Sequence, residues 1–400
     1  MIAVGPEPAE RPAPPRDLWI LCATFFCIFL GGGALQQHLN TILAKTRGWD
    51  ALMISSVLAT VYGTFAVWRI FIGYSMRLLG RRLSIFFGTL TYALLPFALQ
   101  YFHFPGGLHL AAAIWGWGAA SAWITSSTQI LDVTETHRYG KASGTFYSAT
   151  FIGQGLGVLV LHYLGAADGW SGRSIAWALQ YATWITVLGA VIALWVSEPK
   201  IAVEIPPLRE LLAMPWAPKA RILGLYSVAS SLGFGVLLGS LSSHINAHYG
   251  AGAVAPIVMS FYVGRLLFSY VAGALADRLG AVNVLVGTFV ISAAGFLAPA
   301  FAKGPLSLAL SALVMGLMQG NVPVASMRII GDSARKGRRH LAFGAIYVWR
   351  DLGVVAGLLG GEAFSKAVGD FGTSLVVFAA LFLLCAALSP SLARRAQEEF

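Results

Sequence analysis

Inside the long apolar stretches of this 400-residue chain lie a few residues able to do chemistry. Arg265 and Arg350 each sit about halfway along such a stretch, and Arg350 belongs to its most polar run, Tyr347-Val348-Trp349-Arg350-Asp351-Leu352-Gly353. A charge in apolar surroundings is costly, so each is a candidate for function. Two deep arginines are suited to hold an organic anion or a metal-chelating acid through charge-assisted hydrogen bonds. Tyr262 and Ser269 flank Arg265 at helical spacing, and Tyr347, Asp351 and Glu362 share one helical face. Asp351 is the acid best placed to carry a coupling proton, with Glu362 and His38 as further candidates; a structural ion pair between Asp351 and Arg265, or another helix, is the alternative. Arg350 points about 100° away from Asp351, so adjacency in sequence does not make them a pair. Arg69 lies nearer a helix end and is placed to snorkel. Gln36 and Asn40 share a face, and Tyr226, Gln319 and Asn321, the last two close to Pro323, complete the polar set expected to line a binding site.

No soluble enzyme fits this pattern. The chain has no G-x-x-x-x-G-K-[ST] phosphate loop, no H-E-x-x-H and no paired CxxC. Cys22, Cys27 and Cys385 fall inside apolar stretches without metal-ligand spacing, so neither a metal nor a cofactor is expected. The net charge of +10 is dispersed in short clusters instead of a stripe, which argues against nucleic acid.

Positioning these residues is the work of membrane helices. The chain is 57% hydrophobic and 11% charged, and its apolar residues come in blocks such as 18–35, 53–72 and 375–388. A span needs about 20 apolar residues. The blocks predict twelve helices, at 18–43, 52–76, 84–103, 108–131, 142–164 and 174–196, then 221–245, 253–276, 282–302, 306–328, 341–365 and 371–392. The fold class is therefore all-α integral membrane, with two six-helix bundles at 18–196 and 221–392. Residues 1–17 form a disordered cytoplasmic lead, 197–220 a cytoplasmic linker and 393–400 a cytoplasmic tail. With the N-terminus inside, nineteen of the 27 lysines and arginines fall in inner segments and five in outer loops, a positive-inside bias that puts both termini in the cytoplasm.

The halves repeat at an offset of 200. Tyr262 pairs with Tyr62, Gly273 with Gly73, Gly280 with Gly80, Pro305 with Pro105, Asp332 with Asp132 and Tyr347 with Tyr147. Parallel six-helix repeats place a solute site near the midplane, between the halves.

The loop after the eighth span reads Gly273-Ala274-Leu275-Ala276-Asp277-Arg278-Leu279-Gly280, and that after the second Gly73-Tyr74-Ser75-Met76-Arg77-Leu78-Leu79-Gly80-Arg81-Arg82. The pair resembles the G-x-L-A-D-R-x-G-R-K signature of the major facilitator superfamily (MFS), and with twelve spans and the repeat the resemblance covers nearly the whole chain. It implies a secondary transporter working by alternating access as a monomer among membrane lipids in a bacterial-type inner membrane, with a small-molecule substrate. It also implies a latch, in which the motif's Asp meets the N-terminal end of a helix in the opposite half. Asp277 can do so against the fifth span near Ala142. Arg77 stands where the family has Asp, and is placed instead to pair with Asp132. The expected latch set is Gly73, Arg77, Gly80, Asp132, Gly273, Asp277, Arg278, Gly280 and Asp332. Gly153-Gln154-Gly155-Leu156-Gly157 resembles the family's antiporter signature without its proline. A multidrug exporter, and a non-transporting receptor or assembly factor built on the fold, are the competing readings.

Overall fold

The computed structural model describes residues 15–199, 201–236, 245, 248–249, 251–301, 304–368, 371–388, 390–391 and 394. Among them there is no strand, as expected where a lipid-exposed backbone must satisfy its polar groups within each segment. In the first half the helices are α1 (Arg16–Leu30), α2 (Gly32–Leu35), α3 (Leu39–Arg47), α4 (Ala51–Leu90), α5 (Leu94–Tyr101), α6 (Pro105–Val133), α7 (Tyr139–Ala166) and α8 (Gly172–Ala193). A short α9 (Leu208–Ala213) lies in the linker. The second half holds α10 (Pro218–Val236), α11 (Ala251–Leu279), α12 (Ala281–Phe301), α13 (Pro305–Ser333), α14 (Arg339–Val368) and α15 (Phe371–Ala387). Every predicted span is occupied by helix within the described residues.

Two expectations of the span map change. The first span is broken, because Gly31 leaves helical geometry at φ −103°, ψ −109°. There the chain crosses α8 so closely that a Cβ on Gly31 would lie 2.6 Å from the Ala182 carbonyl oxygen, while Thr186 Oγ1 accepts the Gly32 N–H at 2.7 Å. The second and third spans, by contrast, run together as α4, turning at Gly80 alone (φ 75°, ψ 175°). Its repeat partner Gly280 has φ 86°, so both motif turns use a backbone conformation that favours glycine.

The repeat is visible in the packing. α4 packs on α6 as α11 packs on α13, and α1 packs on α7 as α10 packs on α14. Small residues allow the close crossings: a Cβ on Gly116 would meet the Val61 carbonyl at 2.5 Å, and one on Gly316 the Phe261 carbonyl at 2.0 Å. The two halves meet along α7 with α11 and α4 with α14. Gly144 faces the backbone of Ser269, and Gly344 that of Arg69, again at the 200-residue offset.

The linker is docked on both halves. Glu198 accepts the N–H groups of Arg81 and Arg82 at 2.8 and 2.9 Å, holding the helical segment that follows Gly80 by its N-terminal end. Glu204 donates its N–H to the Gly337 carbonyl at 3.2 Å. Arg338 bonds Glu210 at 2.8 Å, and Trp349 Nε1 donates to the Pro215 carbonyl at 2.9 Å.

Candidate functional site

A cavity lies between the halves, with about 830 Å³ of space including its mouth. Its walls are aromatic and cationic. The first half contributes Phe29, Tyr62, Phe65, Tyr92, Trp115 and Trp123, with Tyr147, Phe151 and Gln154 from α7. The second contributes Phe234, Arg265, Gln319, Phe343, Tyr347 and Arg350.

Arg265, on α11, is 6% exposed and donates through Nη1 to Gln154 Oε1 at 2.7 Å. Its guanidinium lies 3.8 Å from the centre of the Phe151 ring, with Phe261 and Phe234 at 5.2 and 5.6 Å. Such stacking suits a planar, weakly hydrated cation. Its Nε is buried without a hydrogen-bond partner, and among the described residues no carboxylate pairs with it.

Arg69, on α4, does not snorkel. It is 2% exposed, and its Nε and Nη2 grip the two oxygens of Asp351, the second at 3.3 Å. Its guanidinium stacks on Phe65 at 3.8 Å. Asp351 is therefore in an ion pair between α4 and α14, with Arg69 as partner and not Arg265. Arg350 also approaches Asp351, Nη1 to Oδ1 at 3.6 Å, because a long flexible side chain can fold back across the angle that separates neighbouring helix positions. Tyr347 donates to the Pro323 carbonyl at 3.2 Å and lies 3.5 Å from the hydroxyl of its repeat partner Tyr147.

Of the other predicted site residues, Gln36 lines the cavity and accepts from Tyr62 at 3.1 Å. Gln319 lines it too, tied to Ser230 Oγ at 2.9 Å. The structure takes four away from it. Asn40 is exposed beyond the break in the first span. Tyr226 packs edge-on to Phe289 and donates to the Cys385 carbonyl. Asn321 turns to Thr288 Oγ1 at 2.9 Å, and Tyr262 is buried against Phe261. His38 is not on the cavity either: its Nε2 is bonded to the Val158 carbonyl at 2.9 Å and its ring packs on His162 and Trp170. The side chain of Glu362 lies outside the described residues. Sequence reasoning missed Tyr92, whose hydroxyl accepts from Trp123 Nε1 at 2.9 Å. It noted Tyr62 and Tyr147 only as repeat partners; both line the cavity, Tyr147 as its partner Tyr347 does and Tyr62 although Tyr262 does not.

At the end of the molecule carrying the two glycine motifs, the halves are sealed together. Asp277 accepts the N–H groups of Gly140 and Lys141, both at 2.8 Å, at the N-terminal end of α7. Arg328 flanks it at 3.2 Å and bridges to Asp332 at 2.9 Å. Asp132 is held by Arg81 at 2.7 Å and Arg339 at 2.6 Å, not by Arg77. Arg77 and Arg278 are both exposed, and neither has an ion-pair partner among the described residues. Where the repeat would place an Asp from Arg77's position against α14, His340 packs on Gly73 instead, with Nε2 2.9 Å from the site of a Cβ there.

A search of the curated proteins gives no match. Solved structures do match, and the similarity is in the fold. The Escherichia coli fucose:proton symporter FucP superposes with TM-score 0.73 at 16% identity, covering 94% of this chain and 98% of that one. The human organic anion transporter MFSD10 gives 0.73 at 15% identity, covering 95% and 100%. FucP in its outward conformation gives 0.71 at 15% identity, covering 94% and 98%. The family model of the Major Facilitator Superfamily matches residues 21–225 and again 223–399, one match for each half of the repeat, and the chain belongs to that superfamily.

Proposed function

We propose that this protein is a secondary transporter of a small organic anion, working by alternating access between the halves 18–196 and 221–392. The observation that carries the reading is Arg265: a buried, always-charged side chain facing the cavity with no carboxylate partner among the described residues. A charge kept in such a place needs a partner, and a solute anion supplies one. The same surplus of positive charge disfavours a cationic drug, although the aromatic walls suit an apolar one. The nineteen-to-five charge bias supports an orientation with both termini, the linker and the sealed end on the cytoplasmic side of a bacterial-type inner membrane, and the site would then be reached from the opposite side in this state. The protein acts as a monomer.

Counterflow in proteoliposomes tests the reading. Anionic solutes should exchange in the wild type and fail to do so in Arg265→Gln, with the variant still monodisperse. Normal anion exchange by a folded Arg265→Gln protein, or exchange restricted to neutral solutes, would refute it.

A further inference from the structure

The cavity's charges can be counted, and the count specifies the substrate further. Three guanidiniums line it, those of Arg69, Arg265 and Arg350, and none can give up its proton. Behind them, fully buried, stands one carboxylate, Asp351, and among the described residues no other acidic or basic side chain reaches the cavity. Asp351 is consumed by Arg69, which engages both of its oxygens. Arg350 is 3.6 Å from the same carboxylate, beside that pair and outside its hydrogen bonds. Two positive charges, Arg265 and Arg350, are left over in a low-dielectric space where unneutralised charge is strongly disfavoured.

Resting on the anion reading above, we propose that the transported species is an organic dianion, and that Asp351 is the residue that sets this charge by cancelling one arginine of three. The geometry at Arg265 agrees. One face of its guanidinium is covered by Phe151 and Nη1 is taken by Gln154, while Nε has no partner. A carboxylate or phosphate oxygen is the kind of acceptor that meets a guanidinium in its plane. The second arginine stands on a different helix, α14. The solute's apolar body lies against the aromatic walls, where Trp115 and Trp123 are contributed by α6. Dicarboxylates and phosphate monoesters share this chemistry.

The charge sum predicts a pattern that individual contacts do not. Binding is read as thermal stabilisation of the purified full chain, at one fixed pH, with a benzene series (benzamide, benzoate, isophthalate, trimesate), a butane series (butanediamide, butyrate, succinate) and phenyl phosphate. The wild type should favour the dianion of a series over its monoanion by about tenfold or more, the factor expected for about 1.4 kcal/mol. The two kinds of dianion, isophthalate and phenyl phosphate, show which acid group the site prefers. Arg350→Gln should shift the optimum to benzoate, and Asp351→Asn to trimesate. The double variant Arg69→Gln/Asp351→Asn restores the charge sum and should return the optimum to the dianion. If Asp351→Asn does not fold, Arg350→Gln and the double variant decide.

A wild-type optimum at the monoanion, or no charge-dependent response in either series, overturns the dianion proposal. So does an unchanged ranking in the variants. A wild type stabilised best by the neutral amides instead overturns the anion reading beneath it.

Discussion

Replacing Asp277 by Asn should unseal the end that carries the glycine motifs by an amount that the geometry lets one work out. The carboxylate is 7% exposed and accepts two backbone N–H groups at 2.8 Å, with Arg328 at 3.2 Å. A hydrogen bond to a charged group contributes about 1.5–3 kcal/mol, and a neutral one about 1 kcal/mol. The amide keeps one acceptor but turns a donor toward the second N–H, and it loses the attraction of the helix N-terminus, about 0.3–1 kcal/mol or more when partly buried. The net loss is about 2 kcal/mol, a shift of ~30-fold in the closed-to-open ratio at that end. Arg77→Ala, at an exposed position, should change it by less than about 0.5 kcal/mol. The assay is maleimide labelling of a cysteine at Ser127, which lines the cavity, in inside-out vesicles with Cys22, Cys27 and Cys385 replaced. Equal labelling rates in the two variants would refute the idea that Asp277 fastens the halves.

Three other outcomes are expected. Arg69→Met alone should destabilise the protein by about 3–5 kcal/mol in reversible unfolding, whereas Arg69→Met/Asp351→Leu should recover most of that loss, because the cost is an orphaned buried charge. Gly140→Ala should favour the state open at the sealed end, since its Cβ would come 2.4 Å from the Gly273 carbonyl oxygen and overpacking costs about 1–3 kcal/mol; Gly287→Ala, which meets nothing within 4 Å, is the neutral control, and distances between spin labels across that end report both. Reporter fusions at Pro206 and Phe400 should both give cytoplasmic signals, and a periplasmic signal from either would reverse the assigned orientation.

Much of the fold was legible because it is written in quantities that add along the chain. Apolar runs locate spans, and the repeat locates symmetry. Asp277 was legible for a similar reason: the motif fixes both its turn and the kind of group it meets. Partners across the interface were not. Asp351 finds Arg69 at a separation of 282 residues, and Asp132 finds Arg339 at 207; only packing decides such pairings. Asn40, Tyr226 and Asn321 went astray for another reason. Periodicity shows which residues share a helix face, but a membrane helix buries several faces, and which of them fronts the cavity depends on its neighbours. Three consecutive glycines, 31–33, signalled a break in the first span that hydropathy alone passed over, and the break is what carries Asn40 away.

The linker's two moorings amount to a leash. Glu198 is tied to the first half at Arg81 and Arg82, and Glu204 to the second at Gly337. Six residue steps join them, and an extended chain covers at most about 3.3–3.6 Å per residue. The two moorings can thus draw apart to about 20–22 Å and no further while both hold. The stroke available to the transporter has a ceiling written into chain length, and shortening or lengthening the segment between 198 and 204 would reset how wide the doorway at the sealed end can swing.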